Sequence, residues 1–192
     1  MSETQEQILE AARACLLEVG YAHLSTRRVA EAAGVGLGHI HYHFGSKRNL
    51  ILALLANENA RLLDRQRGMY GADAPLWKQW EQACDFLEDD LRSGYVRVLQ
   101  EMTAAGWSDP DLAAAVRSVL QDWFDLLADV AARAEERLGS LGLFTAQELA
   151  ALVGDAFLGA ETMLLLGVAD RDVPHRPALR RVGDWIRQIE GA

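Results

Sequence analysis

Between Ser25 and Leu50 the chain carries four cations, Arg27, Arg28, Lys47 and Arg48, against one acid, Glu31, and adds histidines at 39, 41 and 43. Arg27 and Arg28 can approach phosphates or the edge of a guanine, where an arginine discriminates by about 1–3 kcal/mol. The hydroxyls of Thr26 and Tyr42 can donate to phosphate oxygens. Gly36 and Gly38 remove side chains and so let backbone come close to a duplex. Lys47 falls in the first turn of a following helix, whose N-terminal amides favour an anion. This is chemistry for gripping a polyanion. The rest of the chain does not share it, because the 192 residues carry a net charge of −9 with a sequence pI near 5.0. A small basic module sits on an acidic body.

The elements that must position these groups are helices. Ser25 to Ala33 reads as a short helix, Gly34-Val35 as a turn, and Leu37 to His43 as a second short helix, which together make a helix-turn-helix. Val29, Ala30, Ala33 and Val35 supply its apolar inner angle, while Ile40 and Phe44 lie on the inward face of the second helix. Gly38, His39 and Tyr42 then project outward. A helix from about Thr4 to Val19 precedes the motif, with Thr4 and Gln7 as a capping box and Gly20 as its stop. Ser46 caps a long helix from Lys47 to about Arg67.

Gly68 to Pro75 is the clearest boundary signal. Beyond it helices are expected at about 75–92, 94–106, 110–138, 145–167 and 177–190, with Asp109-Pro110 and the Thr145–Glu148 capping box marking two starts. Tyr95 to Leu99 alternates as an edge strand would, but no partner strand is found elsewhere. The expectation is an all-α chain with a three-helix helix-turn-helix DNA-binding domain over residues 1–47. A larger helical ligand-binding and dimerisation domain would follow over 48–192. Leu149 to Val168 reaches transmembrane length but contains Asp155 and Glu161, so a buried helix is the better reading and no membrane partner is expected. The N-terminus has no secretory pattern, and Cys15 and Cys84 fit reduced thiols, so a cytoplasmic protein is expected.

The run Leu24 to Lys47 resembles the DNA-binding segment of the TetR family of bacterial regulators. Ala33-Gly34-Val35, Gly38, Ile40, Tyr42, His43-Phe44 and Ser46-Lys47 match the family pattern, and the resemblance covers roughly residues 4–65. It implies a homodimer that binds a palindromic operator in double-stranded DNA, with a small-molecule pocket and the dimer interface in the C-terminal domain. Carried over position by position, Arg27, Gly36, Leu37 and Gly38 face bases. Thr26, His41, Tyr42, His43 and Lys47 hold phosphates, with Arg28 and His39 on the same outward face. Three positions depart from the family: Gly36 and Leu37 stand where polar residues are frequent, and His41 where tyrosine is usual. Recognition here leans on apolar contact to thymine methyls and on backbone positioning.

In the C-terminal part, Trp77, Trp80, Trp107, Trp123 and Trp185 accompany Phe86, Tyr95, Met102, Phe124, Phe157 and Met163. Such side chains can line a cavity for an apolar or aromatic effector, or simply fill a core. Glu161 and Asp155 can orient a ligand or pair across a dimer, or else mark a solvated helix edge. Glu88-Asp89-Asp90 reads as a solvated helix end. The helices at 145–167 and 177–190 are expected to form the dimer interface, since Leu149, Leu152, Ala156, Leu158, Ala160 and Leu164 to Leu166 exceed one subunit's need. The long helix 47–67 would be the movable link.

Other chemistries are weaker readings. Gly34 to Gly38 lacks the preceding strand and the spacing of a dinucleotide turn. His39 and His43, at i and i+4, have no third ligand beyond Glu31, so no metal is expected. No nucleophile elbow, zinc-protease motif or P-loop is present, and neither an enzyme nor a cofactor is expected. The expected activity is ligand-released repression. The alternatives are a ligand-independent DNA-binding activator and a helical ligand-binding protein without DNA function.

Overall fold

Ser2 starts the first helix. Its hydroxyl accepts from the Gln5 amide while the Gln5 side chain accepts from the Ser2 amide at 2.9 Å, a capping box two residues ahead of the expected Thr4 and Gln7. Gln7 has another partner, donating to the Ala33 carbonyl at 2.8 Å. The computed structural model describes residues 1–191, and every regular element among them is α-helical. In order these are α1 (Glu3–His23), α2 (Thr26–Ala32), α3 (Leu37–Phe44), α4 (Lys47–Tyr70) and α5 (Leu76–Ser93). They are followed by α6 (Tyr95–Gly106), α7 (Pro110–Leu138), α8 (Ala146–Leu165) and α9 (His175–Ile189). The fold class is all-α, as the periodicity implied.

Three local readings change. Gly20 kinks α1 rather than ending it: its φ of 72° and ψ of 167° leave the helix, and a last turn runs on to His23. Gly68 does not stop α4, which continues to Tyr70 because Met69 is buried and Tyr70 half-buried. That burial outweighs the roughly 1 kcal/mol that an interior glycine costs. Tyr95 to Leu99 is helical, since Tyr95, Val96, Val98, Leu99 and Met102 are all buried at helical spacing. Alternation would put Tyr95 and Leu99 on the face opposite Val96 and Val98, whereas all four are buried as one helical stripe.

The chain forms two compact units. The first comprises Met1–Arg61 and Arg97–Val119. Ile8, Leu16, Val29, Ile40, Leu50, Leu54, Met102 and Leu112 are almost wholly buried within it, as is Cys15. Polar ties join its segments. The Glu101 carboxylate accepts from the Tyr21 amide at 3.0 Å, and Arg48 reaches Asp109 at 3.0 Å and Asp111 at 2.5 Å.

The second unit comprises Leu62–Val96 and Leu120–Ala192. Its core gathers Met69, Ala83, Cys84, Leu87, Phe157, Ala160 and Leu179. The Glu190 carboxylate, just past α9, accepts from the first amides of α5, Leu76 at 2.9 Å and Trp77 at 3.0 Å. The Trp80 indole donates to the Leu179 carbonyl at 2.7 Å. Gly154 gives α8 room against Phe124, for a Cβ there would lie 2.2 Å from the ring. The acidic run 88–90 is not a solvated helix end. Asp90 is buried and takes two contacts from Arg65 at 2.8 and 2.6 Å, while Glu88 receives Arg176 at 2.5 Å. Three acids in a row look solvated only until long arginines from distant elements arrive. Among the described residues no helix is long and apolar enough to cross a membrane.

Candidate nucleic-acid interface and effector cavity

The recognition surface follows from one buried side chain and one turn. Gly34 adopts φ +65° between α2 and α3, and nothing lies within 4 Å of where its Cβ would stand. The demand there is conformational, not steric. Ser25 caps α2 by accepting from the Arg28 amide at 3.2 Å. Ile40 is wholly buried and fixes the roll of α3. Leu37, Gly38, His39, His41 and Tyr42 are thereby left exposed, Tyr42 by 84%. His43 is half-buried with its ring edge-on to Tyr42 at 4.9 Å, and the His41 Nδ1 lies 3.1 Å from the Gly45 carbonyl. Gly36 stands at the N-cap of α3 and offers no side chain to cap it. The first amides of α3 are thus open to an anion. Thr26, half-buried, opens α2.

The cations divide. Arg27 is exposed, with its Nε 3.5 Å from Glu31, and Arg28 meets Glu18 at 2.7 Å. Exposed pairs of this kind contribute about 0–1 kcal/mol, so phosphate can displace the acids. Lys47 has a different setting. Its Nζ donates to the Tyr21 carbonyl at 2.8 Å and lies 4.4 Å over the Tyr21 ring, and burial pushes its pKa down. It holds the last turn of α1. Glu101, which takes the Tyr21 amide of the same turn, was not singled out in the sequence, and a contact spanning 80 residues leaves no local signal there.

Of the large side chains named above as possible effector contacts, the structure brings Trp80 and Trp185 to a cavity and distributes the others. Phe157 is buried, T-shaped on Trp80 at 5.5 Å, and Phe86 and Trp123 pack on the same core. Phe86 also lies 4.2 Å beneath the Arg65 guanidinium, and the Trp123 indole donates to Gln66 at 2.9 Å. Phe124 covers Gly154, and Trp77 lies 4.2 Å under Arg187. Tyr95 is a buried core residue of the second unit. Met102 and Trp107 belong to the first unit, the one wholly buried and the other 85% exposed.

Glu161 is buried on α8, where desolvation, with the charge of Asp90 beside it, pushes its carboxyl up to about 8. Asp155, on the same helix, is exposed.

The cavity in the second unit measures about 500 Å³ and is bounded by α5, α7, α8, α9 and the loop Gly139–Phe144. Leu76, Trp80, Leu127, Val130, Ala134, Leu138, Phe144, Val153, Trp185 and Ile186 are among its walls. The volume suits small-molecule sites, which run to roughly 300–1,000 Å³. The signal for it was present in the repeating apolar residues of α7 and α9. Plain aliphatic residues at helical spacing announce a core equally well.

Residues 8–54 match the family described as bacterial regulatory proteins, tetR family. The HTH-type transcriptional repressor AcnR of Corynebacterium glutamicum is 43% identical over 63 residues, 33% of this chain and 34% of AcnR. AcnR of Corynebacterium efficiens is 32% identical over 113 residues, 58% of this chain and 55% of its own. The chain therefore spans between a third and about half the length of these curated relatives. The fold extends further. A crystal structure of a TetR transcription regulator from Haloarcula marismortui superposes with a TM-score of 0.78 at 19% identity, covering 98% of each chain. Over residues 8–54 the chain is thus similar to the tetR family of bacterial regulatory proteins, and its helical architecture over nearly its whole length is that of a solved TetR regulator.

Proposed function

We propose that this chain is a cytoplasmic transcriptional repressor that binds a palindromic operator as a homodimer and leaves it when a small apolar or aromatic molecule enters the C-terminal domain. The carrying observation is the face of α3. Ile40 is locked inside, and an uncapped helix start, two glycines, His39, His41 and Tyr42 are turned to solvent, with Arg27 and Arg28 on the preceding helix. Such a face offers phosphates and base edges a close approach, with sequence read by few hydrogen bonds.

Dimerisation is supported by α8 and α9. Leu152 is 53% and Met163 39% exposed on α8, and Leu166, just past its end, 73%, with Ala156 and Gly159 between them at helical spacing, while α9 exposes Trp185 by 62%. An apolar stripe of this kind calls for cover. Two copies then place two recognition helices for half-sites one DNA turn apart, about 34–36 Å. An effector releases DNA only as far as it binds the two conformers of the dimer with different affinity.

Selection of bound fragments from a randomised DNA library tests this reading. A palindrome should be recovered, and it should be lost when Arg27 and Tyr42 become alanine. Weak, sequence-blind binding that vanishes with added salt would overturn it.

A further inference from the structure

A second, more polar pocket adjoins the apolar cavity. A pocket of about 340 Å³ shares Tyr70, Leu76, Gln79 and Val130 with it, and its remaining wall is formed by residues 71–73 with Arg133 and Arg137. The two arginines stand one turn apart on α7. Arg137 donates to the Ala74 carbonyl at 2.7 Å and lies 3.6 Å from Asp73, whose carboxylate is fully exposed and weakly held. Arg133 is exposed and has no ion-pair partner among the described residues. The vestibule thus holds two cations against one acid. The cavity beyond it follows α7 from Leu127 to Leu138, a length of about 16 Å at 1.5 Å per residue.

Neither pocket alone specifies a ligand, but together they do. A purely apolar molecule would leave the arginines unused, and a small anion would leave the long cavity empty. We propose that the two pockets form one site for a single-chain amphipathic anion, a fatty carboxylate. The chain lies along α7 between α5, α8 and α9, and the negative group sits at Arg133 and Arg137. Charge complementarity at the mouth and an elongated apolar interior are the two independent marks of that class. As effector chemistry this rests on the repressor reading above, but occupancy of the site does not.

Calorimetric titration of the full chain with fatty carboxylates from octanoate to laurate, and with dodecanol and dodecyltrimethylammonium, tests it. Each methylene added should tighten binding by about fourfold, equivalent to about 0.8 kcal/mol. Laurate should exceed dodecanol and the ammonium by tenfold or more. Arg133→Glu lies at an exposed position, so it should fold normally and abolish the preference for laurate over dodecanol while keeping the chain-length dependence. Ala134→Trp should block the chain itself. Equal binding of laurate and dodecanol, a preference untouched by R133E, or no saturable binding of any chain would overturn the site. Laurate that binds yet leaves operator affinity unchanged would overturn only its role as effector. Absence of operator binding with laurate binding intact would overturn the repressor reading and leave the site standing.

Discussion

Helices α3 and α8 are built inside out relative to one another. In the first unit α3 keeps Ile40 inside and turns Gly38, His39 and Tyr42 to water. In the second, α8 keeps Glu161 inside and turns Leu152, Met163 and Leu165 outward. A helix of the first kind is comfortable alone and ready for a charged partner that keeps its own hydration. One of the second kind exposes what water disfavours and buries what water prefers, so part of its design lies outside the single chain. The contrast separates two ways of meeting a partner: by leaving polar groups free, and by leaving apolar groups uncovered.

The comparison breaks most readily at Ile40. Ile40→Ala removes the one buried anchor of α3 and should lower unfolding free energy by about 2–5 kcal/mol in urea titration. An unchanged stability would mean that something else sets the roll of α3. Glu161 is the converse test. Its carboxyl ionises near 4.5 when unfolded and near 8 when buried, with Asp90 beside it. Above 4.5 the unfolded chain sheds this proton first, so stability should fall as pH rises through that window and level off above it. The slope can reach about 1.4 kcal/mol per pH unit. Glu161→Gln should flatten that part of a pH-dependent thermal melting series.

Glycines sharpen the contrast further. Gly154→Ala drives a Cβ to 2.2 Å from Phe124 and should cost about 1–3 kcal/mol, partly recovered by Phe124→Leu. Arg27→Ala should leave the melting temperature alone, because its ion pair is exposed, while weakening operator binding by about 1–3 kcal/mol in a mobility-shift or anisotropy assay. Gly38→Ala is the gentlest change. Nothing lies within 4 Å of the new methyl, so the helix should gain up to about 1 kcal/mol while operator affinity drops. A gain in both would remove Gly38 from the interface.

Legibility in the sequence divides along the same line. The helix-turn-helix depends on special residues at fixed local spacing: a positive-φ glycine at 34, a cap at Ser25, one aliphatic at 40. Each leaves a mark within a few residues, and the nine helices among the described residues stood close to where their periodicity put them. The second unit works through distance. Arg65 reaches Asp90 over 25 positions, Arg176 reaches Glu88 over 88, and Glu190 caps α5 over 113 and 114. No local pattern foretells such partners: within its own segment the run 88–90 shows only three adjacent acids. The cavity was hidden for a related reason. The large aromatics drew attention, while its walls are mostly leucine, valine, isoleucine and alanine, whose types do not say whether they meet each other or an empty volume.

Each compact unit also contains one cysteine, Cys15 in the first and Cys84 in the second, and both are buried. Burial pushes the Cys84 thiol up to about 11, so little of it is thiolate at neutral pH. An alkylating reagent must therefore wait for either half to open before it can react. The chain is born with two built-in clocks, one per half. The rate at which mass is added at each sulfur measures how often its own half comes apart, with DNA or ligand present or absent, and without altering a single residue.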